Sequence, residues 1–372
     1  MTKTVFISAG EVSGDKHGFY LCQEILKIDP KISFYGFGSN KMKDLGINLL
    51  SDLTLYSGIG LVENIPAAYH ASFNYKIAKK FFKENNVSLV ILIDNQGFNI
   101  RLASLAKKIN IPVVYYIGPQ EWIWGFKNGI HRVMKNIDTL YTIFKAEYEF
   151  YHQYKNKIKY FGHPLLNIIA TSKDETSSNN LFNNKKYIIG LMPGSRKQEF
   201  NNTIPVFLEI YEKLKDNYNF FFIIPEIWKK FVQDNFNLKD ILIIYGNSEK
   251  YMKYCDLIIA SSGTVTLEAV ILDIPIIPCY KLNKISYLIA KTLIKPDFVT
   301  LPNIVAKKKV INEFLQNDMC SENIINEIDR LINDKKYLNN IKSEFKNIRK
   351  NLEPYNSIEN TARDIVSTYL KG

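Results

Sequence analysis

The chain has 372 residues, 46% of them hydrophobic, which suffices for two buried cores at the usual ~100–200 residues per domain and fits no disordered, collagenous or repeat class. Its formal net charge of +11 favours an anionic partner without naming the anion. The lysines are scattered along helical stretches and form no nucleic-acid motif, so no nucleic-acid partner is expected.

The run Thr4–Ser8 reads as a buried strand that meets Glu11 and Asp15 too early for a signal peptide. It leads into SAGEVSGD (Ser8–Asp15), whose glycines and serine let a ligand approach the backbone while Glu11 projects at the strand mouth. The plainer alternative is a strand–turn–helix junction capped by Ser13 or Asp15, with a helix following Asp15. Neither this turn nor GFGSNK, after the strand Ser33–Gly36, carries the third glycine of a dinucleotide fingerprint, which disfavours an NAD-dependent dehydrogenase. The stretch Asn64–Glu84 places Tyr69, Phe73, Ile77 and Phe81 at four-residue steps and predicts an amphipathic helix. Its Lys79-Lys80-Phe81-Phe82-Lys83 is read in two ways, as a membrane-surface face or as a solvated lysine-rich one.

The strand Leu89–Ile93 ends at Asp94. A carboxylate there can take a proton from a sugar hydroxyl, or simply cap a turn. A helix is predicted after Phe98, then a strand at Val113–Ile117 and the loop IGPQEWIWG. Trp122 and Trp124 either frame a sugar ring or acyl chain or form an aromatic corner. Strands at Thr139–Thr142 and Lys159–Phe161 follow. Residues 171–186 are polar and read as a linker.

The alternation then restarts, with strands near Tyr187–Met192, Phe220–Ile224, Leu242–Tyr245, Leu257–Ala260 and Ile274–Pro278. After the first of these, Pro193-Gly194-Ser195-Arg196 offers backbone N–H groups, a hydroxyl and a guanidinium, the parts that hold a diphosphate. It lacks the Walker lysine. After Leu257–Ala260, SSGTVTLE opens a helix whose N-terminus suits a phosphate. Thr264 and Glu268 share one face, so Glu268 can meet ribose hydroxyls. The alternative is a capped helix with an exposed Glu. From Ile324 the chain is helical and charged.

This pattern predicts an α/β protein of two Rossmann-like domains, residues 1–170 and 187–345, facing a central cleft. A helical tail, residues 346–372, would pack back on the first domain or on a partner subunit. The five histidines form no ligand cluster, His163 is read as structural, and neither metal nor cofactor is expected. With no ~18-residue apolar stretch and no CxxC spacing among the four cysteines, the protein reads as cytoplasmic.

Taken together, SAGEVSGD, GIGLVENI (Gly58–Ile65), Asp94 with Phe98-Asn99, Trp122-x-Trp124, FGHPLL (Phe161–Leu166), MPGSRKQE (Met192–Glu199), SSGTVTLE and LPNIVA (Leu301–Ala306) resemble the lipid-A-disaccharide synthase family, in order and over nearly the whole chain. The resemblance implies a glycosyltransferase of the two-Rossmann, GT-B type, inverting and metal-independent. It would use UDP-2,3-diacylglucosamine as donor and 2,3-diacylglucosamine 1-phosphate as acceptor, on the cytoplasmic face of the inner membrane, as a homodimer.

By the same resemblance Asp94 is the general base, Glu11 a second acid, and Arg196 the diphosphate ligand. Ser262, Gly263, Thr264, Glu268 and Asn303 match the family's UDP-binding segment; Ser195 is added to the UDP site from the turn chemistry above, and Trp122, Trp124, Asn99, Tyr69 and Phe73 are placed on the acceptor and acyl side. Two segments depart from the family pattern. Asn95-Gln96-Gly97 stands where Pro and a second Asp are usual, and Gly118-Pro119-Gln120-Glu121 replaces Ser-Pro-Ser. The alternatives are a UDP-N-acetylglucosamine 2-epimerase-like isomerase and a non-catalytic nucleotide-sugar-binding module.

Overall fold

A computed structural model describes residues 3–54, 65–124, 127–171, 182, 186–282 and 298–371, with the side chains of 65–69, 124, 127 and 128 outside that description. The chain divides into two compact units, Met1–Asn167 with Leu352–Gly372, and Ile168–Asn351.

In chain order the first unit runs β1 (Thr4–Ala9), α1 (Val12–Ile28), β2 (Ser33–Phe37), α2 (Asn40–Asp44), β3 (Asn48–Ser51), α3 (Ile65–Glu84), β4 (Val87–Ile93), α4 (Gln96–Lys107), β5 (Val113–Tyr116), α5 (Glu121–Trp124), α6 (Lys127–Lys135), β6 (Thr139–Thr142), α7 (Lys145–Phe150), β7 (Ile158–Tyr160) and α8 (Pro164–Thr171). All seven strands are parallel, in the order β3-β2-β1-β4-β5-β6-β7. Helices cover both faces of such a sheet, so its inner strands must be apolar throughout. Accordingly, Leu89 through Ile93 and Val113 through Tyr116 are all buried.

The second unit runs β8 (Ile188–Met192), α9 (Lys197–Leu214), β9 (Asn219–Ile224), α10 (Lys229–Asn235), β10 (Leu242–Tyr245), α11 (Ser248–Tyr251), β11 (Leu257–Ser261), α12 (Thr264–Ile271), β12 (Ile276–Tyr280), α13 (Leu301–Ala306), β13 (Phe314–Leu315), α14 (Ser321–Asn333) and α15 (Lys335–Leu352). Its six parallel strands take the order β10-β9-β8-β11-β12-β13.

Several elements differ from the sequence expectation. Helix α1 begins at Val12, ahead of Asp15, and Asp15 caps another helix: its carboxylate accepts the Ser39 and Lys41 amides at 2.6 and 3.1 Å, at the start of α2. Helix α4 begins at Gln96, before Phe98. The short strands β3 and β13 were not anticipated. Among the described side chains of α3 the buried positions are Asn74, Ala78 and Phe82, one residue along from the predicted stripe, and Phe73 is 57% exposed. Phe81 packs on Phe6 and Tyr35, so the aromatics of the Lys–Phe segment belong to the core and only its lysines face water.

The chain re-enters the first unit at its end. Helix α16 (Ser357–Ile365) and a π-helical turn, Val366–Leu370, lie against α1 and the sheet. The Ser357 hydroxyl donates to the Gly162 carbonyl at 2.6 Å, and Asp364 accepts from Tyr141 at 2.6 Å and Lys159 at 2.7 Å.

Candidate active site

In an open parallel sheet, a ligand crevice forms where strand order reverses, outside the carboxyl ends of the two strands that part there. In the first unit that point lies between β1 and β4, whose last residues, Ala9 and Ile93, are in register. Glu11 therefore follows one strand end by two residues and Asp94 follows the other directly. Glu11 occupies the N-cap position of α1 and is partly exposed.

Asp94 is held in an unusual backbone. Both Asp94 and Asn95 are left-handed, at φ 47° and 45°, a conformation that costs a non-glycine residue roughly 1–2 kcal/mol. The surrounding bonds impose it. The Asp94 carbonyl accepts from the Tyr115 hydroxyl at 2.6 Å and from the Asn99 side-chain amide at 2.8 Å, and its own N–H donates to the Ile117 carbonyl at 3.1 Å. Asn99 is fully buried and also binds the Ile93 carbonyl and the Ser8 hydroxyl. It reaches the site through the Asp94 backbone. Burial, then the Asp94 charge, push the Tyr115 phenol well above its ordinary range, so it remains a donor. A Cβ on Gly10 would fall 1.8 Å from the Asn95 side chain, so the β1 turn needs a glycine for the two strand ends to close together.

The segments Asn95–Gly97 and Gly118–Glu121 meet here. The Gln96 side-chain amide donates to the buried Glu121 carboxylate. Glu121 opens α5, so Trp122 and Trp124 stand on a helical turn and not in a loop. Trp122 is half-buried with its ring 5.1 Å from Phe144, which packs 4.8 Å from His163. The side chains of Trp124 and Tyr69 lie outside the described residues, as does the segment Gly58–Asn64. His163 is buried, accepts the Leu165 amide at 3.2 Å, and is held by desolvation at a pKa of about 3. Buried His17, which the sequence reading passed over, is likewise held neutral by burial and by His163.

In the second unit the reversal point lies between β8 and β11, with Met192 and Ala260 in register. The turns Pro193–Arg196 and Ser261–Gly263 are thus neighbours at one sheet edge. Gly194 sits at φ 129°, and a Cβ there would meet the Glu199 carboxylate at 2.3 Å. Glu199, itself buried, folds back to accept the Ser195 amide at 2.7 Å and Arg196 Nη1 at 2.7 Å. Thr203 donates to the Pro193 carbonyl and Trp228 to the Ser195 carbonyl, both at 2.7 Å. The turn is therefore held by side chains at Pro193, Ser195 and Arg196, with the Arg196 charge paired. Nothing in the local sequence pattern singles out Thr203 or Trp228.

Opposite it, Ser262 donates its amide to the Cys279 carbonyl at 2.9 Å, and Gly263 caps α12 with open space where a Cβ would stand. Thr264 is partly exposed at the helix start, whereas Glu268 is only 6% exposed, which removes the reading of an ordinary solvated Glu. Asn303 is fully buried on α13. Its amide binds the Ile311 carbonyl and Glu313, and its oxygen takes the Val310 and Ile311 amides. Glu313 also accepts from Thr300, so these residues fix the loop beside α13.

Solved structures share this architecture. The S. aureus MnaA–UDP structure superposes with a TM-score of 0.67 at 12% identity, covering 100% of this chain and 97% of that one. The Methanocaldococcus jannaschii UDP-GlcNAc 2-epimerase bound to UDP-GlcNAc and UDP gives 0.61 at 18%, covering 99% and 100%. At such identities the likeness concerns the fold alone. Sequence relatives are more specific. The Geobacter sulfurreducens lipid-A-disaccharide synthase is 32% identical over 90% of this chain and 88% of its own. That of Sulfurihydrogenibium sp. is 33% identical over 99% of both. These matches do not favour the epimerase alternative. The profile of the lipid-A-disaccharide synthetase family aligns with residues 5–366, and the chain belongs to that family of glycosyltransferases.

Proposed function

We propose that the enzyme condenses UDP-2,3-diacylglucosamine with 2,3-diacylglucosamine 1-phosphate, giving a β-1′,6-linked disaccharide 1-phosphate and UDP. Each sheet reversal point carries one half of that chemistry. Asp94 takes the proton of the acceptor's 6-hydroxyl as its oxygen bonds to the donor's anomeric carbon. The bond from that carbon to the diphosphate breaks on the opposite face, with inversion, and UDP leaves with the electron pair. Glu11 is the second acid of this edge. Arg196, pre-set by Glu199, and the Ser195 hydroxyl stabilise the charge growing on the diphosphate. Ser262, Gly263 and Thr264 receive the phosphates at the α12 N-terminus, Glu268 the ribose, and Asn303 shapes that pocket from beneath.

Trp122, Trp124, Tyr69 and Phe73 serve the acylated acceptor, and Asn99 acts through Asp94. Among the described residues no helix is long and apolar enough to cross a membrane. Both substrates carry acyl chains, so the working place is the cytoplasmic surface of the inner membrane, with the protein peripheral and dimeric. The observation that carries the reading is Asp94, locked in a left-handed turn at the end of β4.

UDP release is to be measured with and without the acylated acceptor, for wild type and Asp94→Ala. The expected result is acceptor-dependent release that collapses in the variant while UDP binding persists. Release that ignores the acceptor would overturn the reading and bring back the epimerase-like or binding-only alternatives.

A further inference from the structure

A cationic depression on the surface of the first unit is lined by residues to which the proposed reaction gives no role. Helices α3, α4 and α6 line an open depression of about 530 Å³ whose wall includes the exposed Lys76, Lys79, Arg101 and Arg132 and, among the described residues, no carboxylate. The volume is in the range of ligand pockets, ~300–1,000 Å³. None of these four cations has an ion pair or hydrogen-bonded acid among the described residues, although neighbours do: Lys80 pairs with Glu84 at 3.9 Å and Lys107 with Asp138 at 2.7 Å. Four like charges around one cavity repel one another, and an entering anion relieves that cost. Two of them are guanidinium groups, whose planar fork suits phosphate oxygens. Tyr75 and Ser104 add hydroxyls to the same wall. The donors come from three helices, so their spacing is fixed by the fold and not by a loop. Phe73, the α3 residue given above to the acyl side, follows the lining residue Ser72 and is 57% exposed, which sets an apolar group near the cationic ones, as at a lipid interface.

We infer that this cavity binds a phosphate ester, its Lys76, Lys79, Arg101 and Arg132 surrounding the phosphate oxygens. Two sources supply that chemistry, a phospholipid headgroup and a soluble phosphate ester, and the test separates them without using turnover, so it stands apart from the proposed reaction. Full-length protein is sedimented with phosphatidylcholine vesicles with and without phosphatidylglycerol, and titrated with glycerol 1-phosphate by calorimetry. The cavity variant is Lys79→Glu/Arg101→Glu. The control, Lys335→Glu/Lys336→Glu, makes the same charge change at exposed positions of α15. A drop of about tenfold in affinity for the anionic vesicles in the cavity variant, against about twofold or less in the control, assigns the headgroup. Unchanged vesicle binding with loss of glycerol 1-phosphate binding only in the cavity variant assigns a soluble ester. If both probes treat the cavity variant like wild type, or like the control, the inference is overturned. Thermal melting of each variant checks that the fold is kept.

Discussion

The fully buried Asn99 side chain donates to the main-chain carbonyl of Asp94 at 2.8 Å, five residues back along the chain. One amide thereby ties the start of α4 to the turn that presents the proposed base. Asn99→Ala removes this bond and the one to Ile93, leaving buried carbonyls short of a donor, at a cost of about 2 kcal/mol. It also frees Asp94 to relax from φ 47°. The expected result is a kcat about 10–100-fold lower with unchanged affinity for UDP. Tyr115→Phe removes a single donor and is expected to lie between the two. A variant with wild-type kcat would show that the left-handed turn holds without Asn99.

Glu199 governs Arg196 in the other unit. Its carboxylate and the guanidinium are both largely buried, with side chains 8% and 14% exposed. Removing one partner of a buried pair costs about 3–5 kcal/mol. Glu199→Ala is expected to destabilise the protein on that scale and to weaken UDP binding, although Glu199 is not itself given a contact with the nucleotide. Glu199→Gln keeps an acceptor for the Ser195 amide and should recover part of the affinity. Calorimetric UDP titrations of the two variants decide this, and equal affinities in both would refute the assignment.

The Gln96–Glu121 bond joins the segment after β4 to the start of α5. A hydrogen bond to a charged group contributes about 1.5–3 kcal/mol. A double-mutant cycle of Gln96→Ala and Glu121→Ala is expected to show coupling of about 1 kcal/mol or more in stability, with KM for the acceptor raised in each single variant and the donor KM unchanged. Additive effects would mean that the two segments act independently.

Stability should also carry a signature of Glu147. Buried on α7, it accepts the Ile143 amide at 2.8 Å, and burial pushes its carboxyl from 4.5 up to about 8. Between those values the folded protein keeps the proton that the unfolded chain has released. The stabilisation is therefore complete below pH 4.5 and declines as pH rises to about 8, by ~1.4 kcal/mol per pH unit. His163, held down to about 3, acts in the opposite sense, losing stability as pH falls below its ordinary 6.5. Comparing Glu147→Gln with wild type cancels the histidine. The difference in unfolding free energy, variant minus wild type, should grow in the variant's favour across that window. A flat difference would refute the raised carboxyl.

Much of this was legible in the sequence because the inner strands are unbroken apolar runs and both sites sit where such runs stop. Asp94, Arg196 and the Ser262–Thr264 turn stand out for that reason. The start of α1 did not, since Ser13, Gly14 and Asp15 look like a cap, and helical glycines such as Gly14 and Gly18 cost about 1 kcal/mol each against alanine. Strands β3 and β13 have four and two residues at sheet edges, too short to show a period. The bonds that stiffen the sites were hidden for another reason. Trp228 lies 33 residues beyond Ser195 and Glu121 lies 25 beyond Gln96, and only the fold brings them together.

The return of residues 352–371 to the first unit sets an order of completion during synthesis. Domains generally fold as units as the chain emerges, but here α1 and the β6–β7 edge wait for Asp364 and Tyr369, which leave the ribosome only after the whole second unit. The unit translated earlier of the two is thus the later to be finished, and until then it exposes the apolar surface that Ile358, Ala362 and Ile365 will cover.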